Sequence, residues 1–537
     1  MKKYALLFFL LCTKIAFSQE DAWVYFNAKS NAETYYGSPL QMLSQRALDR
    51  RTNQHIALDF KDIPINPTYI NQIKGSLGIT VKAKSKWLNA LHIRGSQANI
   101  NALKQLSFVD KIDFANKSLN LSGKTAKLFK AKRPSKIKKA KVEFAYGTSE
   151  NQIKMLNGDA LHQQNFTGSG KVIAIMDAGF PGVNTTQPFQ RLRDNNQILG
   201  GYDFVSRSPD FYTLDSHGTS VLSCIAGYQE DKLVGTAPDA SFYLFITEDD
   251  NSENPIEESL WVEAAEKADS LGVDIIQTSL GYFEYDNPNY SHTYSDMNGT
   301  TAIISKGAEI AFSRGMIVVA AAGNEGGTSE PHIGGPADAQ SVIAVGAVAS
   351  NETKANFSSI GPSFDGRIKP DVMAQGVSAF LSDQNGNIIT GNGTSFSSPI
   401  TAGMIACLWQ ALPDRTNEEI RQLVLQSADK HIEPDNLYGY GIPDFSLALA
   451  NGLLMEDSPT DYFVAYPNPT INTVSISFPE NFNNGKVVLY SVIGKKVLEQ
   501  NISKQLESFS LESLSNGVYF YKISSDTFSK TGKIIKN

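Results

Sequence analysis

Cysteine and long apolar runs are scarce in this sequence, and each shortage excludes a class of protein. The 537 residues include three cysteines, too few for the disulfide framework of a small secreted scaffold. Cys224 and Cys407 lie within apolar helical patterns, which predicts two small buried core residues. After the first 18 residues, no apolar stretch is long enough to span a membrane. We therefore expect a mature chain that is soluble or attached to a surface from outside.

The first 18 residues predict a secretory signal peptide. Two lysines supply a positive start, and a short apolar run from Ala5 to Cys12 follows. Lys14 closes that run, and Ala16 and Ser18 place small residues at the −3 and −1 positions of a cleavage site. We expect residues 1–18 to be removed on export.

The remaining composition is globular, with 41% hydrophobic and 19% charged residues, and the length predicts about three or four domains. Residues 19 to about 116 have the pattern of a small α+β unit, and no cluster of catalytic residue types stands out there. Its predicted strands and helices are Trp23–Phe26, Pro39–Arg51, one or two strands within Val81–Ile93, Asn99–Leu106 and Val109–Phe114.

A basic segment follows this unit. Nine lysines and one arginine lie between Lys117 and Lys141 without a single acid, so the net charge of −7 corresponds to −17 for the rest of the chain (−7 − 10). Such a run can bind nucleic acid or an anionic surface, but here Phe129 is its only aromatic residue. We interpret residues 117–145 as a flexible, protease-accessible linker, and we expect no nucleic-acid partner.

From Tyr146 onward, buried strands alternate with helices. Continuous apolar runs predict strands that are covered on both faces, and amphipathic stretches between them predict helices at Glu257–Ser270 and Thr300–Arg314. We therefore predict a doubly wound, mostly parallel sheet of the α/β class, with reactive groups beyond the carboxyl ends of its strands. The predicted strands are Val172–Met176, Phe242–Ile246, Val273–Ile276, Ile317–Ala321 and Val342–Val348.

Four short motifs carry residues with reactive or polar side chains. Asp177 and Asn324 follow predicted strands, and His217 opens a helix that Gly227 can end. Ser395 precedes an apolar helical pattern, with Pro399 suited to the first turn. Taken alone, each motif has a structural interpretation, such as an N-cap for Ser395. Together they supply a carboxylate, an imidazole, an amide and a hydroxyl, which are the parts of an acyl-transfer site.

The order and local sequence of these motifs closely resemble those of subtilases, the subtilisin-like serine peptidases. The matching stretches are Asp177-Ala-Gly, His217-Gly-Thr, Ala322-Gly-Asn324-Glu-Gly and Gly393-Thr-Ser395-x-Ser-x-Pro399. The resemblance runs from Tyr146 to about Asn451. It implies that Ser395 is the nucleophile, His217 the general base and Asp177 its orienting carboxylate. It also implies that Asn324 donates its amide to the oxyanion.

The same resemblance implies a primary specificity pocket. Its floor would be Gly334, and small wall residues would leave room for a large apolar or aromatic side chain, while Glu325 at the rim could also admit a basic one. The acidic run from Glu248 to Glu253 would border more distant subsites. The two walls would be Ser279, Leu280, Gly281 and Ala320, Ala321, Ala322.

The chain departs from the family's pattern at several positions. Ser220 and Ile400 stand where many subtilases have histidine. The loop from Tyr228 to Gly235 is shorter than the family's calcium-binding loop, although Glu230 and Asp231 could still ligate a hard cation. We expect no required cofactor and regard structural calcium as doubtful.

Subtilases are commonly made with an inhibitory propeptide, and residues 19–145 fit that arrangement. By this interpretation the catalytic domain spans residues 146–456. The end of the propeptide would pass through the active site, so we predict self-cleavage within about five residues of Ala145. A trypsin-like partner cutting among Lys130 to Lys141 is the competing route.

Beyond about Glu456, alternating patterns predict a small β-sandwich at residues 460–537. Tyr466-Pro-Asn-Pro469 and Leu514-Ser-Asn-Gly517-Val-Tyr519 resemble the C-terminal sorting domain of Bacteroidetes proteins exported by type IX secretion. A carbohydrate-binding or adhesion module is the alternative. We thus expect a protein exported through periplasm and outer membrane, then secreted or attached to the cell surface.

These features lead us to expect a secreted serine endopeptidase made as a zymogen. Its partners would be protein or peptide substrates, its own propeptide and the secretion machinery, and we expect a monomer. Two alternatives stay open: a catalytically silent surface-binding protein on the same fold, and an esterase that uses the same triad. Intact Asp177, His217, Asn324 and Ser395 argue against the silent protein.

Overall fold

The computed structural model describes residues 19–120 and 144–455, and, between residues 464 and 536, a set of strands and the turns that join some of them. The signal peptide, most of the Lys-rich linker and several C-terminal connections therefore lie outside the described residues. We use the labels β1–β22 and α1–α13 in chain order.

Residues 19–120 form a four-stranded antiparallel sheet in the order β2-β3-β1-β4, with helices packed against it. The predicted strand at Val109–Phe114 is confirmed, and the stretch from Val81 to Ile93 divides into two strands. The elements are β1 Gln19–Phe26, α1 Ala32–Gly37, α2 Gln45–Asn53, α3 Pro67–Lys74, β2 Ile79–Ser85, β3 Ala90–Ser96, α4 Gln97–Ala102 and β4 Val109–Phe114.

The predicted helix from Pro39 to Arg51 is in fact two pieces. A 3₁₀ turn covers Pro39–Gln41, and α2 begins only at Gln45. Ser44 caps α2 by accepting a hydrogen bond from the amide of Ala47 at 3.2 Å. The cap fixes where α2 starts, and therefore which face carries its arginines.

The central domain is built on a seven-stranded sheet in the order β13-β12-β11-β10-β5-β9-β6, and all six pairings are parallel. This confirms the predicted α/β class. Its strands are β5 Val172–Asp177, β6 Ile198–Asp203, β9 Ser241–Ile246, β10 Ile275–Thr278, β11 Ile317–Ala321, β12 Ile343–Val348 and β13 Val372–Gln375, and short hairpins are formed by β7 Tyr228–Gln229 with β8 Leu233–Val234 and by β14 Ala379–Ser382 with β15 Ile388–Gly391.

Helices cover both faces of this sheet. Along β5, Ile173 and Ile175 pack into the core beneath α8 and α11, whereas Ala174 and Met176 pack into the core beneath α9 and α10. Trp23 of the N-terminal unit joins the second core. The helices are α5 Glu150–Lys154, α6 Asp159–His162, α7 Gln190–Asp194, α8 His217–Ala226, α9 Ile256–Leu271, α10 Ile303–Ser313, α11 Thr394–Ala411, α12 Asn417–Ser427 and α13 Phe445–Leu454.

The C-terminal region contains two antiparallel sheets, β16-β17-β20 and β19-β18-β21-β22. Val474, Leu489, Phe509 and Ile523 are buried in their shared apolar cluster, as expected of a sandwich. The strands are β16 Val464–Tyr466, β17 Thr473–Ser477, β18 Gly485–Ser491, β19 Lys496–Ile502, β20 Leu506–Ser510, β21 Gly517–Ser524 and β22 Ser529–Lys536.

Candidate active site

Asp177 and His217 meet at the carboxyl edge of the sheet. Asp177 is the last residue of β5 and is fully buried, and His217 is the first residue of α8. The Nδ1 atom of His217 lies 2.8 Å from Oδ1 of Asp177, which also accepts a hydrogen bond from the Ala178 amide at 2.8 Å. The carboxylate therefore holds the imidazole by one nitrogen and leaves its Nε2 for other chemistry.

Gly218 allows this approach. A Cβ atom at residue 218 would lie 2.5 Å from the carbonyl oxygen of Gly179 and 3.0 Å from Cβ of Asp177. Any larger residue would push the start of α8 away from the end of β5. The glycine after His217 is therefore required by close packing at this point.

The charge of Asp177 raises the pKa of His217 to about 9, against the opposing effect of burial. About one third of the imidazole is still exposed. Asp215 and Asp250 act in the same direction as Asp177. The histidine can thus carry a proton during a reaction and be stabilised in its charged form.

Ser395 is the second residue of α11, within the first turn, where backbone amides have no helical partner. Pro399 lies in the second turn, rather than the first as the sequence predicted. Because proline has no N–H, the carbonyl oxygen of Ser395 has no helical donor and instead accepts a hydrogen bond from Oγ of Ser279 at 2.8 Å. The Ser279 hydroxyl is itself held by Nε2 of Gln277 at 2.8 Å.

The hydroxyl of Ser395 is held only weakly. It donates to the carbonyl oxygen of Ser279 at 3.5 Å, the upper limit for a hydrogen bond. Among the described residues no hydrogen bond joins this hydroxyl to His217, but the rings of His217 and Phe396 have centroids 6.2 Å apart, so α8 and α11 begin side by side. Catalytic hydrogen bonds are often long without substrate.

Asn324 follows β11 and is tied to the start of α11. Its Oδ1 accepts hydrogen bonds from the amide of Thr394 at 3.0 Å and from the Thr394 hydroxyl at 3.1 Å. The side-chain amide hydrogens are not used by Thr394. Asn324 is exposed at the surface of the site. It therefore presents donors next to Ser395.

A cleft of about 460 Å³ lies against Ser395 and Asn324. Four glutamates border it, of which sequence reasoning missed Glu284 and Glu330, because nothing marks a loop residue as cleft-facing before the loops are placed. The described part of the N-terminal unit, residues 19–120, contributes none of its lining. The predicted pocket residues that line it are Ser279, Leu280, Gly281, Ala321, Ala322 and Gly334.

Ala320 does not line the cleft. Successive side chains of a strand point to opposite faces, and Ala320 is fully buried in the core beneath α9 and α10. Ala320 therefore does not belong to the wall of the pocket, because its side chain points to the other face of the sheet. Its neighbour Ala321 ends β11 and does line the cleft.

The hairpin turn between β7 and β8 carries the two acidic residues that could ligate a hard cation. Glu230 and Asp231 are both exposed on the hairpin turn, and the amide of Asp231 donates to the carbonyl of Ala145 at 3.1 Å. Within residues 19–120, 144–455 and the described C-terminal strands, no three His, Cys, Asp or Glu side chains cluster to hold a metal ion.

Comparison with known proteins assigns the family. Residues 168–441 match the subtilase family. The chain belongs to the subtilases. Residues 21–133 match the peptidase S8 propeptide domain of Bacteroidota, and residues 464–537 match a secretion system C-terminal sorting domain.

Individual subtilases align with a little over half of this chain. Subtilisin NAT of Bacillus subtilis subsp. natto is 33% identical over 293 residues, covering 54% of this chain and 68% of the relative. Subtilisin DY of Bacillus licheniformis is 31% identical over 292 residues, covering 54% and 94%. Serine protease AprX of Bacillus subtilis is 30% identical over 308 residues, covering 52% and 66%.

As a subtilase with these flanking domains, the chain is a serine endopeptidase made as a zymogen and exported by type IX secretion. Catalysis by subtilisins needs no cofactor. None of the helices in the described ranges is long and apolar enough to cross a bilayer.

Proposed function

We propose that Asp177, His217 and Ser395 hydrolyse peptide bonds through an acyl-enzyme. Oγ of Ser395 attacks the scissile carbonyl carbon, and Nε2 of His217 takes the hydroxyl proton and passes it to the leaving amine. Water then repeats the sequence and releases the acid. The observation that carries the proposal is the 2.8 Å contact of His217 Nδ1 with the buried carboxylate of Asp177, next to the start of α11.

The oxyanion of the tetrahedral intermediate would be held by two donors. One is the side-chain amide of Asn324, and the other is the backbone amide of Ser395 in the first turn of α11. Such donors act most strongly where charge develops in the transition state. The bond from Thr394 to Oδ1 of Asn324 supports this role, because it leaves the amide nitrogen for the substrate.

The substrate's primary side chain would enter the cleft between Leu280 and Ala322. Small residues at Gly281, Ala321 and Gly334 favour a large apolar or aromatic group. Hydrogen bonding from Ser359 holds Glu325 at the border of the cleft, where a basic group could also be accepted. We expect the enzyme to act as a monomer.

Maturation is expected to use the same active site, with a cut near Ala145. Phe144 packs against Tyr146, His162 and Tyr228, and Ala145 accepts a hydrogen bond on the β7–β8 hairpin, so this segment must leave the hairpin to be cut. Val142 and Glu143 lie outside the described residues. Ser395→Ala should retain the N-terminal piece when purified away from other proteases, whereas the wild type should lose it.

Casein degradation tests the assignment. The wild type should degrade casein, and a serine-directed covalent inhibitor should abolish the activity and label Ser395 by mass spectrometry. A protein that cleaves small esters but not casein would favour the esterase. An unlabelled, inactive wild type would favour the silent binding protein.

A further inference from the structure

Part of the contact between the propeptide and the catalytic domain lies far from the cleft. Helix α2 lies along the amino edge of the parallel sheet, where three adjacent strands begin. Arg46 donates to the carbonyls of Gly170 at 3.1 Å and Gly272 at 2.9 Å, just before β5 and β10. Gln54, one residue beyond α2, donates to the carbonyl of Gly315 at 2.7 Å, just before β11. The helix thus spans the starts of three strands.

The catalytic domain has room for these side chains. A Cβ atom at Gly272 would lie 2.7 Å from Cγ of Arg46, and one at Gly315 would lie 2.9 Å from Nε2 of Gln54. Both glycines also have positive φ angles, 85° and 91°, which other residues rarely adopt. The amino edge therefore accommodates α2 closely.

Buried ion pairs join the two domains at this edge. Asp269, near the end of α9, is fully buried, and both of its oxygens accept hydrogen bonds from Arg51 at 2.8–2.9 Å. Arg50 donates to the same carboxylate at 2.5 Å and to the carbonyl of Val273. In the described part of the chain, every side-chain hydrogen bond to this carboxylate comes from the propeptide. Removing α2 would leave the buried Asp269 without the two arginines that donate to it.

The pairing is reciprocal. Arg314, at the end of α10, donates to Asp59 of the propeptide at 3.0 Å and lies 3.6 Å from Asp62. Asp62 is fully buried and accepts a bond from Arg51 at 2.9 Å. The cluster therefore contains three arginines and three aspartates, with charges of both signs contributed from each side of the interface.

We propose that α2 with Arg50 and Arg51, which we call the amino-edge lock, holds the propeptide on the enzyme after the chain between them has been cut. The proposal rests on the proposed function. Cutting the linker breaks none of the contacts of the lock. Release of the propeptide then depends on opening the lock, and this step sets when activity appears.

Two observations favour retention over a role in folding alone. None of the described propeptide residues 19–120 lines the cleft, so the contacts that hold this part of the propeptide on the enzyme lie outside it. The lock also sits at the edge of the sheet opposite to the catalytic residues, about 17 Å away along the six residues of β5. Changes to the lock should therefore alter release without altering the chemistry.

The main test compares R50Q/R51Q with the wild type and with K104Q/K111Q, a control that removes the same charge from exposed propeptide lysines. Each full-length chain is allowed to process, then followed by gel filtration and by hydrolysis of a chromogenic peptide. Loss of one partner from a buried ion pair should shorten the lag before activity about 10²–10³-fold. The released enzymes should have equal kcat. A lag and co-elution unchanged from the wild type would overturn the proposal.

A second measurement tests the lock even if a variant folds poorly or fails to cut its own linker. In the Ser395→Ala chain, amides of α2 should exchange with deuterium faster when R50Q/R51Q is added, while those of β5 keep their protection. Unchanged protection of α2 would overturn the lock. Asp269→Asn, made on the catalytic side, should reproduce the effect. If the wild type neither processes itself nor degrades casein, the proposed function fails, and the exchange experiment still decides about the lock.

Discussion

The two edges of the central parallel sheet differ in how fully a buried aspartate is paired at each. At the carboxyl edge, Oδ2 of the buried Asp177 has no hydrogen-bond partner among the described residues, and the hydroxyl of Ser395 donates to one of them, at 3.5 Å. At the amino edge, both oxygens of Asp269 are paired with arginines at 2.5–2.9 Å. An unpaired carboxylate oxygen and a weakly held hydroxyl leave groups available for a reaction at one edge, while full pairing of the Asp269 carboxylate stabilises an interface at the other.

This difference predicts that substitutions at the carboxyl edge change rates, whereas substitutions at the amino edge change propeptide retention.

Asp177→Asn should lower kcat about 10⁴-fold with little change in the melting temperature, because the amide cannot hold the imidazole in its reactive tautomer. The pH profile should also move. In the wild type, His217 must lose its proton to act as a base, so kcat/KM should rise with pH through the raised pKa of about 9. In the variant this limb should shift toward 6.5. Unfolding of the variant at room temperature would instead mean that Asp177 is required for stability.

The same pKa has a consequence for stability. Because the pKa of His217 is raised in the folded protein, its charged form contributes stability that is fully present below pH 6.5 and is lost as the pH rises through about 9. Asp250→Asn is the matched control, because Asp250 is exposed and raises the pKa of His217 less than Asp177 and Asp215 do. It should shift the pH profile of kcat/KM in the same direction as Asp177→Asn, but by much less.

Asn324→Ala should lower kcat about 10²–10³-fold and leave KM nearly unchanged, because the oxyanion exists mainly in the transition state. Asn324→Asp is a sharper control than a distant residue. It keeps an oxygen acceptor for Thr394 but has no amide donor. If Asp at this position restores turnover, then the role of Asn324 is to hold Thr394.

Much of the carboxyl edge could be predicted from sequence because its signals are local. Uninterrupted apolar runs predicted β5 and β11, and a polar motif residue lies at or just beyond the end of each: Asp177 ends β5, and Asn324 comes three residues after β11. The strands β6 and β13 were missed. Gly200 and Gly201 interrupt the apolar pattern of β6, and β13 has only four residues. Short or glycine-containing strands depend on their neighbours in the sheet for definition.

The amino edge could not be predicted in the same way. Arg51 and Asp269 are 218 residues apart, and neither lies in a recognisable motif. A helix with several arginines is most simply interpreted as a solvated surface helix, and burial of those arginines becomes visible only when α9 is placed against them. The charge that holds the propeptide is thus a property of the tertiary structure.

Glu266→Gln should make propeptide retention less dependent on pH. Burial raises the pKa of Glu266 to about 7, against hydrogen bonds from Ser85, Lys86 and Trp87 and the charge of Lys86. The carboxyl group regains a value near 4.3 when the propeptide leaves. Retention should therefore be strongest below pH 4.3 and weaken by up to about 10²–10³-fold as the pH rises from there to about 7. Retention that increases with pH would contradict this, and Glu263→Gln is the control from the same helix.

Gly281→Ala should have the smallest effect, one confined to specificity. A Cβ atom at residue 281 would have no atom within 4 Å, so the methyl group would narrow the cleft without straining the fold. A single carbon in an apolar pocket changes selectivity about 10-fold, so kcat/KM for a substrate with phenylalanine before the cut should fall by this factor relative to one with alanine.

Gly327→Ala is the control: its nearest neighbour would be 3.9 Å away, and residue 327 does not line the cleft. Equal losses for both substrates would mean that Gly281 contacts the substrate backbone instead. A wild-type preference for acidic side chains throughout would contradict the pocket itself, because four glutamates border the cleft.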